Sequence, residues 1–413
     1  MVLAGAAAVA QTAPLRRPGD HPDFGLPDPG AVWLPYAADA EHPCNRVWRQ
    51  AYLVRCVPAE VAAALPREHG DDVAFFVKGW YFGKRAGTAA DERLFGGDGR
   101  QLPVEGFDAA GSAALRAALA SIDGDVAAEL RRRPRAAVWF QHDLLRLSRR
   151  LLDTGNNPEL LPPLAQCVHR LALPAELLRS DTLRTVTVAD VAAAVPGFDP
   201  ARAVEIERRS TRLFDAEFVQ LWSSVYVQVP EQSPTQLAAW LATGKQRGAV
   251  PIGALAVLVQ GIVAVADDGT PCATDLVLEV RTQRLSNREP LAAANATTTH
   301  DGVDLAMWSL ARTAVRDLGP DARSVPFAAF RAIDMQSQEL FRDYGTLKHT
   351  TYAAQCALCH RREHSGDEAL AGFSALRAGS EPRPVTAAGE RRRRAEGELA
   401  KLLAQLPDHQ QQR

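Results

Sequence analysis

The sequence predicts an α+β protein in three stretches: a mainly helical N-terminal region, a central mixed α/β region with a β-hairpin, and a helical C-terminal module. Three observations predict it. Apolar residues recur at helical spacing between residues 109 and 171, most clearly Phe140, Leu144, Leu147 and Leu151. Leu255 to Val265, the turn Asp267-Asp268-Gly269 and Leu276 to Val280 form two apolar runs joined by turn residues, the pattern of a hairpin. Helical spacing returns from about residue 303.

On this reading the chain divides into residues 1–13, 14–180, 181–290, 291–376 and 377–413. Residues 1–13 resemble the end of a secretory signal: a short apolar stretch with Ala8-Val9-Ala10 as an A-x-A-like cleavage site, without the basic n-region. Up to about residue 50 the chain is rich in Pro and Gly and irregular. Pro58 to Leu65 can start a short helix and Val73 to Val77 suits a buried strand. Ala109 to Leu130 is helical with Gly124 as its break, and Ala136 to Leu152 is a stronger helix stopped by Gly155. Leu160 to Leu171 adds another.

In the middle region, Thr185 to Val188 and Val225 to Val229 are short and β-branched, as strands are. Asp199-Pro200 opens a helix to Leu213, and Ser233-Pro234 opens another through Leu237, Trp240 and Leu241. The last third predicts helices over Val303 to Val315, Phe327 to Tyr344 and Thr351 to His360. After a Gly/Pro/Ser/Ala linker over residues 377–389, Leu399, Leu402, Leu403 and Leu406 share a helical face behind Arg391 to Arg394, a charge run that reads as a solvated face.

The composition excludes some functions. A formal net charge of −2 gives no electrostatic case for a nucleic-acid partner, and no apolar run is long enough to span a membrane. Six cysteines in 413 residues are too few for a disulfide scaffold. Cys44 and Cys56 are close enough in sequence to bridge in an oxidising compartment; two buried thiols is the competing reading.

One motif carries chemistry. Cys356-Ala357-Leu358-Cys359-His360 has the C-x-x-C-H pattern of covalent haem attachment. Residues three apart lie on one side of a helix, so two thiols can add to the two vinyl groups of one porphyrin. The following imidazole then meets the iron from the same side. A thioredoxin-like redox pair expects the motif directly after a strand, whereas helical periodicity precedes it here. A zinc site needs further ligands, and there is no second C-x-x-C.

The segment Tyr352 to His360 resembles the attachment helix of class I c-type cytochromes, with Tyr352 in the place of the aromatic residue before the first cysteine. The resemblance covers about residues 340–375. It implies one covalently bound haem c on Cys356 and Cys359, His360 as proximal iron ligand, maturation outside the cytoplasm, and an electron-transfer role with a redox partner protein. The chain departs from the family pattern in having no Met after His360 and no Gly-Pro segment there. Candidate sixth ligands are Met335 and His349, with His300 and Met307 behind them; His364 lies on the same side as His360, and His409 sits in a polar end. An open sixth position would instead suit a haem enzyme or gas-binding sensor. A non-catalytic interaction protein is the third reading.

Weaker features complete the list. His142-Asp143 reads as part of a solvated helix face rather than an acid/base pair, and Gly83 to Gly87 as a turn rather than a phosphate loop. Arg361 and Arg362 can pair with haem propionates or stay solvated.

Overall fold

The computed structural model describes residues 35–52, 54–56, 93–95, 103, 106–206, 220–242, 251–285, 303–310, 312–318, 330–334, 340–342, 349–351 and 388–407. It is an α+β fold in which a helical layer and a six-stranded antiparallel sheet share one continuous core.

The helical layer comprises α1 (Pro43–Tyr52), α2 (Ala109–Ala120), α3 (Gly124–Arg131), α4 (Pro134–Thr154), α5 (Leu161–Arg170), α6 (Ala175–Leu178) and α7 (Val188–Ala194). Local signals set their ends. Asp108 caps α2 by accepting from the Gly111 amide at 2.7 Å, and Asp123 caps α3 by accepting from Asp125 and Val126. The break expected at Gly124 therefore falls at residues 121–123, and Gly124 is the first residue of the next helix. Pro134 opens α4, and Gly155 closes it in the left-handed region at φ 69°.

The sheet is a meander in chain order, made of β3 (Val204–Ile206), β4 (Leu221–Gln228), β5 (Leu255–Val265), β6 (Pro271–Leu285), β7 (Val303–Leu310) and β8 (Phe330–Asp334). The predicted hairpin is β5–β6: the Gly269 amide donates to the Ala266 carbonyl, and the Asp268 carboxylate accepts from Thr270. A bulge at Gly261 interrupts its register. On one face, Trp222, Val257 and Val259 join the main core. On the other, Val225, Val227 and Ala256 pack with Leu237 and Leu241 of α8 (Pro234–Ala242) in a second cluster.

After β7 comes the short helix α9 (Arg312–Asp317). Two small antiparallel strand pairs are separate from the main sheet: β1 (Val54–Cys56) with β2 (Arg93–Phe95), and β9 (Leu340–Arg342) with β10 (His349–Thr351). The last helix, α10 (Ala388–Leu403), buries Leu399, Leu402 and Leu403 in the main core, and Leu406 follows them there. Among the described residues, no helix is long and apolar enough to cross a membrane.

Several expectations are corrected. The helices expected over Val303 to Val315 and Phe327 to Tyr344 are β7, α9, β8 and β9, so the described part of the stretch 291–376 is mainly strand, with the short helix α9 between β7 and β8. The main sheet runs across the expected boundary at residue 290, since β7 pairs with β6 from Glu279↔Ser309 to Leu285↔Val303. This pairing overrides the helix propensity of Ala, Met and Leu, because a half-buried strand next to a long partner gains its whole hydrogen-bond ladder.

Thr185 to Val188 is no strand. Thr185 reaches β6 through its hydroxyl, which exchanges hydrogen bonds with Val277, and Thr187 with Asp190 forms a capping box that starts α7. The described part of the helix expected from Asp199 to Leu213 is one 3₁₀ turn, Pro200–Arg202, followed by β3, and residues 207–213 lie outside the described residues. The Arg391 to Arg394 run is not a simple solvated face. Arg391 is buried and paired with Glu205, and Arg392 bonds Asp275 at 2.6 Å while lying over the Trp222 ring. The helix expected at Pro58 to Leu65, the strand at Val73 to Val77 and the turn Gly83 to Gly87 lie outside the described residues.

Candidate functional site

Helix α4 is amphipathic in sequence, yet every residue from Arg135 to Ser148 is buried. It is enclosed because α5 and α3 cover part of it, α1 and α9 another part, and the end of β5 a third. A helix buried all round must satisfy its polar side chains inside the protein. Most of them are. Gln141 donates to the carbonyls of Val168 and Val265 at 3.0 Å and accepts from the Val265 amide at 2.7 Å, tying α4 to α5 and β5. Ser148 donates to the Leu144 carbonyl.

Asp143 sits at the centre of a buried polar cluster. Arg312, the first residue of α9, donates to both carboxylate oxygens, at 2.7 and 2.8 Å. The Tyr36 hydroxyl also donates to Asp143 and accepts from Arg312. The Arg312 guanidinium lies 4.5 Å from the Trp139 ring centre and under 6 Å from those of Trp48 and Tyr36. Burial would lower the pKa of Arg312, but the Asp143 carboxylate outweighs it and holds the guanidinium more firmly charged. Burial pushes the Tyr36 hydroxyl well above its usual range, with Arg312 opposing and Asp143 adding to the rise. On the far side of Asp143, the Tyr52 hydroxyl donates to its backbone carbonyl at 2.8 Å and takes a hydrogen bond from Arg146.

His142 stands out in this setting. It is 1% exposed, and neither ring nitrogen has a hydrogen-bond partner. Burial holds its pKa well below the usual imidazole value, and the charges of Arg146 and Arg312 push the same way, so the ring is neutral at pH 7. Arg135, Trp139, His142 and Arg146 recur at helical spacing on one face of α4, and both arginines are 5% exposed. The expectation of a solvated His142-Asp143 pair is thus corrected: both are buried, and Asp143 serves Arg312 rather than its neighbour.

The cysteine-histidine motif behaves differently. Cys356, Cys359 and His360 lie outside the described residues, as do Met335, His300, His364, His409, Arg361 and Arg362. His349 begins β10 rather than lying between helices, and Met307 lies in β7. Because β10 ends at Thr351, a strand and not a helix precedes Tyr352. The rest of the helix expected over Thr351 to His360 lies outside the described residues. Cys44 is a free, buried thiol, so the bridge to Cys56 is not formed. Among the described residues, no three His, Cys, Asp or Glu side chains gather to hold a metal ion.

Sequence reading missed Arg312, Tyr36 and the role of Asp143. Their partners are 107 and 169 residues apart, and no local spacing announces such a pairing. Comparison of the chain with family models, with curated proteins and with solved structures finds no match.

Proposed function

We propose that this protein is an extracytoplasmic monohaem c-type cytochrome-like protein that transfers electrons through one covalently bound haem. The observation that carries this is the Cys356-x-x-Cys359-His360 motif, with two thiols and an imidazole at the spacing one porphyrin needs. Cys356 and Cys359 hold the haem and His360 binds the iron. When bound, haem c supplies reversible one-electron chemistry. The side chains available elsewhere are compatible with it. The described thiols are buried and protonated: burial pushes Cys167 up to about 11 and raises Cys44 and Cys272, so none of them competes as a reactive thiolate.

Expression in a host that attaches haem c tests the reading. The intact mass is expected to carry one haem, and denatured bands to retain haem staining. Cys356→Ala combined with Cys359→Ala should lose both signals. A wild-type chain without the added mass overturns the proposal. A ferrous protein that does not bind carbon monoxide fits electron transfer; rapid binding points to the alternative of a haem enzyme or gas sensor with an open iron position.

One observation favours a second reading. A strand, β10, closes at Thr351, shortly before the motif, as in dithiol–disulfide proteins. In that case the same mass measurement finds no haem, and the two cysteines form a reducible bond.

A further inference from the structure

We infer that His42 is a pH-operated latch, whose protonation frees the segment from Tyr36 to Tyr52 and uncovers the buried Asp143–Arg312 pair. The latch is independent of the haem reading. The segment forms a roof over the pair. The Tyr36 hydroxyl bridges Asp143 and Arg312, the Tyr52 hydroxyl donates to the Asp143 carbonyl, and the Trp48 ring lies 5.7 Å from the Arg312 guanidinium. The chain before α1 is folded back onto that helix by Asn45, which accepts from the Tyr36 amide and donates to the carbonyls of Ala37 and Asp39. From the start of α4, Arg133 donates to the Tyr36 carbonyl at 2.6 Å. The first turn of α1 therefore holds the roof in place.

His42 caps that turn. It directly precedes α1, its carbonyl accepts from the Arg46 amide, and its Nδ1 accepts from the Cys44 amide at 3.3 Å. The usual caps, Ser, Thr and Asn, keep their acceptor at any pH, whereas an imidazole loses it near neutrality. Once protonated, Nδ1–H points at the Cys44 N–H, and a positive charge sits at a helix N-terminus. Three charged groups face the ring. Its Nε2 lies 3.7 Å from Glu129 of α3, Arg133 is 3.4 Å from the same carboxylate, and Asp39 precedes it in the turn. Glu41 is paired with Arg49 instead. Glu129 favours the charged ring, but it is half exposed and shared with Arg133, so its pull is weak. The His42 side chain is only 10% exposed. Burial therefore sets the direction and lowers its pKa, with Glu129 opposing and Arg133 adding to the fall. The freed segment binds the proton more tightly, so falling pH drives opening.

Thiol labelling of the full chain tests the latch, because Cys44 is fully buried two residues from His42 and Cys272, on β6, is a buried thiol outside the segment. Both are modified with dithiodipyridine, which reacts in acid, from neutral pH downwards. Peptide masses assign the sites, and each rate is divided by that of the urea-unfolded chain at the same pH. The Cys44 ratio should rise by up to about tenfold per pH unit below pH 6.5, the signature of one proton taken up on opening, while Cys272 stays protected. His42→Asn, which caps without titrating, should hold Cys44 protected throughout. His42→Ala should leave Cys44 reactive at every pH, with no step. A flat Cys44 ratio in wild type overturns the latch, as does the same rise in His42→Asn or a protected Cys44 in folded His42→Ala. A Cys272 ratio that climbs in step with Cys44 overturns it too, since the whole fold is then opening. If the alanine variant does not fold, His42→Asn decides alone.

Discussion

Asp143 shows how one side chain can fix the relation of distant segments. Its carboxylate receives Arg312 from α9 and Tyr36 from the N-terminal segment, and all three are buried. A buried ion pair adds little over a well-packed apolar substitute, but removing one partner strands the other charge. Asp143→Ala should therefore destabilise the fold by about 3–5 kcal/mol in urea denaturation. The double variant Asp143→Leu with Arg312→Met should recover much of that loss, and equal losses in both would sink the account. His42 offers a pH dependence. Burial lowers its pKa in the folded state, Glu129 opposes this and Arg133 adds to it. The unfolded chain, with the imidazole at its ordinary 6.5, then takes up the proton first as pH falls. Stability should be full above pH 6.5 and fall below it until the folded value is passed, with a slope of at most about 1.4 kcal/mol per pH unit from this group. Replacing His42 with Asn should flatten that part of the stability–pH curve; an unchanged slope assigns the effect elsewhere.

At the scale of elements, the bulge in β6 opposite Gly261 of β5 is a fitted part of the sheet. A Cβ on Gly261 would come within 2.4 Å of the Trp222 ring, whose indole N–H donates to the Thr274 carbonyl at 2.8 Å. The ring can neither stay nor move without losing that bond, so Gly261→Ala should cost about 1–3 kcal/mol by overpacking. A variant as stable as wild type by thermal unfolding would show that the ring has room to shift. Elements with local signals were legible in the sequence. α4 was marked by its apolar face and by Gly155, the β5–β6 hairpin by its turn, and the last helix by its four leucines. β7, β8 and β9 were not, because Val303, Met307 and Leu310 at i, i+4 and i+7 also fit a helical face, and pairing with β6 and β7 decides between the two.

Over the described residues, the main core runs from Tyr36 through the helical layer and one face of the sheet to Leu406, with the second cluster on the other face. The last helix is built into it: Arg391 pairs with Glu205 next to β4, Arg392 with Asp275, and Glu396 accepts from the Ala273 amide. A run of four arginines looked solvated by composition, and the sheet beneath it supplied the carboxylates. The amino-acid sequence by itself determined the α+β class, the central helix, the hairpin and the Cys-Cys-His motif, because each depends on residues within one or two turns of one another. Tertiary structure alone decided that α4 is enclosed on all sides, that Asp143 belongs to Arg312 and Tyr36, and that His142 is left without a partner. Burial and long-range pairing arise from how elements pack, and periodicity along one helix carries no record of what will cover its polar face.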